Sequence, residues 1–360
     1  MVSIDAMRAM ACIAIVLHHW LLLMPYRKNS DLVDALVSFS GDFVYVFFIL
    51  SGLGLTLSYF RRPSMPWKKW ARTRFKKIVL PFWIVVLLTF VLAHLMRVAG
   101  IEISGKPYAL STLIAYLSFT RNFFPDSFTL NGTLWFMPVI IGLYALFPCL
   151  IWMIRKWGIL LTLSAVCLVG YSAKLMSEAL GCPVDYQRAL PLFYLPEFMT
   201  GVLMGYLLSH RADSRKGFPL PWVILGLIFY LSAGQLPAWF DTAWVFDETL
   251  RAIGVWLMMW PVCARLNREP PGPWIGRLVK WSSISFVAYL IHCPLITYLL
   301  KPAALRLGIS SLNPVAMVVL GAGYVWLIYL LGRRIAYWIH HLASRNHSLP
   351  IPQTNALFLE

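Results

Sequence analysis

Charge is what this sequence has least of. Asp, Glu, Lys and Arg make up only 13% of its 360 residues, against about 25% in soluble domains, which excludes an ordinary water-soluble chain. Acidic residues are scarcer still, 15 against 31 Lys and Arg, and the net charge is +16. Cysteine is sparse and badly placed for cross-linking. Cys12, Cys149, Cys167, Cys263 and Cys293 lie in or beside apolar segments, and only Cys182 reads as loop-borne. No disulfide framework follows, and no CxxC or Cys/His spacing calls for a metal. Internal repeats, low-complexity runs and a second soluble domain are missing too.

What remains is apolar: 59% of the residues are hydrophobic and 15% aromatic. Membrane-length windows fall at about 7–25, 43–60, 79–96, 133–153, 157–174, 192–209, 219–236, 249–264, 283–300 and 313–332. The expected fold is therefore all-α, a polytopic integral membrane protein with about ten transmembrane helices. A net charge of +16 would point to nucleic acid on a soluble chain, but eight Lys/Arg crowd into residues 61–77. The excess reads instead as topology and contact with anionic lipid. Alternate loops hold twenty Lys/Arg against ten, which predicts cytoplasmic termini on both ends. Asp5 and Arg8 stand where a signal peptide would carry its cationic region, and no small-x-small cleavage site follows, so the first segment is expected to be retained. Residues 1–340 form one membrane domain in this reading and 341–360 a short cytoplasmic tail.

The first apolar segment carries ionisable residues. Arg8 and His19 are eleven residues apart, about 20° from three whole helical turns, so they share one face about 16 Å apart along the axis. Asp5, Cys12 and Ile15 share that face, and His18 lies about 80° away. A charge at the bilayer centre costs roughly 2.5–3.5 kcal/mol, so such residues line cavities or pathways, unless the arginine snorkels and the histidines bond to neighbouring helices.

Other candidates follow in chain order. Ser51 and Gly52 are a small-residue pair, for close helix packing or for a thin ligand. Residues 61–77 form a basic loop leading into the third helix. That loop anchors topology, or lets Arg72 and Arg74, with Arg8, chelate the phosphates of a polyanionic ligand. Residues 97–132 form the longest outer loop, and Ser111 to Thr120 is too short to span. Residues 237–250 carry Trp239, Asp241, Trp244, Phe246, Asp247 and Glu248, which suit a polyol or an interfacial aromatic belt. Glu197 is the one carboxylate inside an apolar window, and His292 sits within the ninth.

These residues resemble a known family. Asp5-Ala6-Met7-Arg8-Ala9-Met10-Ala11, with a histidine eleven residues after the arginine, is similar to the opening signature of the acyltransferase family 3 membrane proteins. Residues 47–53 resemble its Phe-Phe-x-Leu-Ser-Gly-Phe segment, with Leu53 in place of the last Phe. Arg72-Thr73-Arg74 ahead of Pro81 resembles its basic entry to a helix. Leu134-Trp135-Phe136-Met137-Pro138, Glu197 with Gly201, and Tyr289-Leu290-Ile291-His292 are similar to its later segments. The matches run in order from about residue 4 to residue 300.

That resemblance implies acyl transfer, usually acetyl, from cytoplasmic acetyl-CoA to a hydroxyl of an envelope or exported carbohydrate or its lipid-linked precursor. It implies a bacterial inner-membrane enzyme whose essential pair is Arg8 and His19. Other polysaccharide-assembly proteins are candidate partners. Arg72, Arg74, Arg8, Ser51 and Gly52 are then candidates for the donor site. Glu197 and His292 are candidates for orienting the His19 imidazole or binding sugar. The rival class is a proton-coupled transporter or flippase, which would also bury Arg, His and Glu; a different acyl donor or a non-carbohydrate acceptor is a further alternative.

Overall fold

The computed structural model describes residues 2–23, 31–61, 66–101, 107–124, 129–182, 190–210, 221–235, 244–265, 272–308 and 314–344. Every regular element among them is helical. In chain order the α-helices are α1 (Val2–Leu23), α2 (Asp31–Gly41), α3 (Phe43–Phe60), α4 (Trp67–Val98), α5 (Leu110–Leu117), α6 (Phe136–Trp157) and α7 (Ile159–Ala179). They continue as α8 (Leu195–His210), α9 (Pro221–Ala233), α10 (Trp244–Arg265), α11 (Pro273–Pro294), α12 (Lys301–Arg306) and α13 (Pro314–Ser344).

Eight spans among the described residues are long and apolar enough to cross a membrane, built on α1, α3, α4, α6, α7, α8, α11 and α13. The other two expected windows are helical but fall outside this set. α9 has 13 described residues, and α10 carries Asp247, Glu248 and Arg251 near its start. Hydrophobic surface faces outward in stripes at helical spacing, such as Leu87, Leu88, Val91 and Leu95 on α4 and Ile224, Ile228 and Leu231 on α9. Lipid tails are the natural solvent for such a rim.

One boundary differs with a clear cause. The basic stretch expected as a loop is already helical from Trp67, because Lys, Arg and Trp are all competent helix formers and the hydropathy window registers only the apolar part. At 1.5 Å per residue the 32 residues of α4 span about 48 Å, well beyond the ~30 Å of a bilayer's hydrocarbon. Its first turns therefore project past the apolar zone and carry Lys68, Lys69, Arg72 and Arg74 on a helix. The segment between Ser111 and Thr120 does hold a short helix, α5. α13 runs to Ser344 without a break near residue 340, and 345–360 lie outside the described residues.

Helices in lipid gain nothing from hiding apolar surface, so close backbone approach has to supply the attraction. α3 and α8 show this directly. A Cβ on Gly52 would collide with the Phe198 carbonyl oxygen, and one on Gly201 with the Ile49 carbonyl oxygen. Gly52, a candidate for lining a donor channel, is thus taken up by helix packing.

α1 lies at the centre of the bundle. Trp20 Nε1 donates to Met317 O on α13 at 2.9 Å, and the indole stacks on Tyr324 at 5.1 Å. Along its other side α1 runs parallel to α11. Ser282 Oγ donates to Asp5 Oδ1 at 3.4 Å, Cys12 Sγ to Ser285 O at 3.3 Å, and the rings of His19 and His292 meet further along.

Candidate active site

Three imidazoles gather where α1, α2 and α11 converge. The His19 centroid lies 4.8 Å from that of His18 and 5.0 Å from that of His292, both edge-on. In each ring Nδ1 faces a backbone carbonyl: Ile15 O at 3.0 Å for His19, Val37 O at 2.9 Å for His18 and Tyr289 O at 2.5 Å for His292. A carbonyl only accepts, so each neutral ring carries its proton on Nδ1 and presents a lone pair at Nε2. His19 is half-buried. His292 is fully buried, and its Nε2 has no hydrogen-bond partner among the described residues.

α2 gives His18 a different setting from His19. Beyond its bond to Val37, His18 lies 3.5 Å from Ser40 Oγ, and a Cβ on Gly41 would sit 2.9 Å from its Cε1. His18 is therefore wedged against α2, whereas His19 turns toward α11.

A helical row of small residues positions the basic end of the site. The Arg8 guanidinium fills the space that a Cβ on Gly54 would occupy. One turn further along α3, Ser58 Oγ accepts a short hydrogen bond from Arg74 Nη2, and Arg74 also lies 5.9 Å above the Trp70 ring. Four residues of helix separate Gly54 and Ser58, about 6 Å, so Arg8 and Arg74 meet α3 about one turn apart. Asp5 is 3.9 Å from Arg8 with both side chains about one third exposed, a pairing too open to neutralise it. Arg72 is exposed on another face of α4 and Ser51 is half-buried on α3.

The single-turn helix Gly132–Trp135 ahead of α6, with Asn131 at its cap, clamps the histidine helix. Asn131 Nδ2 donates to Leu290 O at 3.3 Å, while its Oδ1 accepts from Thr133 N at 3.2 Å and from Thr133 Oγ1 at 2.7 Å. Tyr289 OH donates to Thr133 O and Tyr324 OH to His292 O, both in short bonds. From Tyr289 an aromatic wall continues through Phe136 (5.5 Å), Phe48 (4.8 Å) and Tyr194 (4.5 Å).

Glu197 belongs to a different cluster. It is fully buried, and its Oε1 accepts from Thr249 Oγ1 at 2.6 Å. Beside it Lys174 Nζ, almost fully buried, donates to Glu248 Oε2 at 3.0 Å, and Tyr45 OH donates to Glu248 Oε1 at 2.6 Å. Arg251 bridges Asp247 at 2.5 Å and Asp42 at 3.8 Å, and Tyr230 OH donates to Asp42 Oδ2 at 2.9 Å. Of the two candidates for a partner to His19, the geometry brings up His292 and ties Glu197 to this second network. Asp241 and Trp239 lie outside the described residues.

Sequence reasoning missed Gly54, Asn131 and Thr133. Asn131 had a local signal, since Asn followed two residues later by Thr suits a helix entry capped by its own side chain. Gly54 had none, because its use depends on a side chain from another helix.

No curated protein and no solved structure matches this chain. A family model described as an acyltransferase domain, the third of the acyltransferase families, does match it, over residues 1–333. The match takes in both arginines, all three clustered histidines and the clamp at Asn131, and the chain, a multi-pass membrane protein, belongs to the acyltransferase 3 family.

Proposed function

We propose that the protein is a membrane-bound O-acyltransferase of the bacterial inner membrane. It moves an acetyl group from acetyl-CoA to a sugar hydroxyl of a cell-envelope or exported polysaccharide, or of its lipid-linked precursor. The basic end of the bundle faces the cytoplasm, as the excess of Lys and Arg there favours, and both termini lie on that side.

One observation carries the reading. Arg8 and Arg74 both contact α3, about one turn apart, and His19, whose Nδ1 is taken by Ile15 O, stands on the Arg8 face of α1, about 16 Å deeper. Paired guanidinium groups chelate phosphate oxygens. The long, thin pantetheine arm of the donor matches the remaining distance. At its end the His19 Nε2 lone pair removes the proton of the acceptor hydroxyl as the oxygen bonds to the acetyl carbon. The C–S bond then breaks with its electrons going to sulfur, and the thiolate takes the proton. Acetyl-CoA and the alcohol thus become the ester and free CoA. A positioned base of this kind contributes about 10²–10⁴-fold.

The test uses membranes containing wild type or His19→Ala, incubated with radiolabelled acetyl-CoA and the host's envelope polysaccharide fraction. Label is expected in polysaccharide with wild type and lost in the variant at equal protein level. Label retained in the variant would remove His19 from the chemistry. A labelled acyl-histidine accumulating without acceptor would replace direct transfer by a two-step route. Buried Lys174, paired with Glu248, and Glu197 are also what a proton-coupled carrier would use. Carrier activity persists without acyl-CoA, and transferase activity cannot.

A further inference from the structure

Three arginines from three helices reach one short stretch of α3. Arg8 of α1 fills the space beside Gly54, and Arg74 of α4 donates to Ser58 Oγ. The third is Arg155 of α6. Its Nη2 donates to Tyr59 OH at 2.8 Å, and its guanidinium carbon lies 5.6 Å from the centre of the Tyr59 ring. Gly54 and Tyr59 are five residues apart, about 7.5 Å along the helix axis. The groups that hold Arg74 and Arg155 in these contacts are neutral hydroxyls, and α3 has no acidic residue from Phe43 to Phe60.

Membrane topology alone does not account for Arg155. Its neighbour Lys156 behaves as an ordinary interfacial anchor: Nζ lies 4.9 Å from the Trp152 ring and 6.0 Å from that of Trp157, and both indoles face outward. Arg155, in the same last turn of α6, reaches across to α3 instead. The helix dipole and the cytoplasmic bias of positive charge need only a cation near that end. Neither requires a bond to another helix. Arg155 is nevertheless exposed, so a cytoplasmic ligand can meet it.

Aromatic rings connect it to the donor arginines. Arg74 lies over Trp70, Trp70 stacks on Trp67 at 4.5 Å, and Trp67 meets Tyr59 edge-on at 6.0 Å. Arg74 and Arg155 therefore stand at the two ends of one run of rings. Such a layout suits a ligand with two separate phosphate positions. Acetyl-CoA is one: a diphosphate leads to its pantetheine arm, and a lone phosphate monoester sits on the ribose 3′ oxygen. A monoester of this kind carries close to two negative charges at pH 7.

We infer that Arg155 is a donor-binding residue that receives the 3′-phosphate of acetyl-CoA, while Arg8 and Arg74 receive the diphosphate. The inference rests on the acyl-transfer reading and extends it to the choice among thioesters. A carrier-protein thioester has no ribose phosphate and gains nothing from Arg155. An anionic lipid headgroup offers the same phosphate chemistry, and the experiment separates the two sources.

Purified full-length wild type, Arg155→Ala and Lys156→Ala are assayed in detergent without anionic lipid, with the polysaccharide fraction as acceptor. The varied donor is acetyl-CoA or acetyl-dephospho-CoA, which lacks only the 3′-phosphate. Wild type is expected to show a KM for the dephospho donor about 10-fold above that for acetyl-CoA, the size of one charge-assisted hydrogen bond. Arg155→Ala should raise KM for acetyl-CoA about 10-fold and move that for the dephospho donor by less than about twofold, with kcat unchanged. Lys156→Ala should keep the wild-type preference. A preference that survives in Arg155→Ala, or an equal rise for both donors, overturns the inference. So does a difference between wild type and Arg155→Ala that emerges only when phosphatidylglycerol is added, which would assign Arg155 to a headgroup. Equilibrium dialysis with radiolabelled CoA and dephospho-CoA repeats the comparison without turnover, and equal binding of the two by wild type also overturns it. Wild type that binds CoA more tightly than dephospho-CoA yet transfers acetyl from neither donor would defeat the acyl-transfer reading and leave the phosphate contact standing.

Discussion

The Arg8 guanidinium occupies the space that a Cβ on Gly54 would fill, so a side chain on one helix and a missing side chain on another form a single unit. This gives an unusually clean separation of stability from activity. Alanine is a better helix residue than glycine by about 1 kcal/mol, and Gly54 is only half-buried. Gly54→Ala should therefore leave the thermal midpoint in detergent unchanged or raised, yet displace Arg8 and raise KM for acetyl-CoA about 10-fold. An unchanged KM would mean that Arg8 does not hold the donor.

Arg74 and Arg72 are two residues apart and differ in setting. Arg74 bonds to Ser58 and lies over Trp70, whereas Arg72 is exposed on another face. Arg74→Lys keeps the charge but loses the planar fork, and KM for acetyl-CoA should rise 5- to 20-fold. Arg72→Ala should change it less than threefold at 0.15 M salt, where exposed charges are screened. Steady-state kinetics with varied acetyl-CoA decide the point.

Gly201 tests packing. A Cβ there would meet the Ile49 carbonyl oxygen, a backbone atom that cannot swing away. Gly201→Val should destabilise by at least 1–3 kcal/mol, the usual cost of overpacking. Loss of monodisperse protein in detergent, at a temperature where Gly54→Ala survives, is the expected outcome.

Lys174 is 4% exposed at its side chain and paired with Glu248. Removing one partner of such a pair typically costs about 3–5 kcal/mol; with Glu248 at 30% exposure, the lower end applies. Lys174→Met should lower the thermal midpoint clearly, and the double variant Lys174→Met/Glu248→Gln should recover part of the loss. Equal loss in both would show that a Glu248 carboxylate left without Lys174 carries no penalty.

Much of this arrangement was legible because helices are local. The shared face of Arg8 and His19 needs only 100° per residue, and among the described residues each of the ten apolar windows falls mainly on a helix. The basic stretch was misjudged because hydropathy reports solvent and not backbone, and residues 67–77 coil happily in water. Which candidates would meet was beyond any local rule. His19 and His292 are 273 residues apart, and nothing near Glu197 in sequence announces Thr249 or Lys174. Spacing and hydropathy supply the candidates, the resemblance to the acyltransferase family gives them roles, and packing separates Glu197 from His19 and His292.

The parallel pairing of α1 with α11 also sets a timetable. A ribosome adds about 5–20 residues per second, so the helix bearing His19 waits on the order of tens of seconds before the helix bearing His292 is made. During that interval Cys12 lacks Ser285 and Asp5 lacks Ser282, and α1 stays in the bilayer against α2, α3 and, once it is made, α10. A fragment ending before α11 would embed Arg8, Arg74, His18 and His19 without ever bringing up the ring of His292.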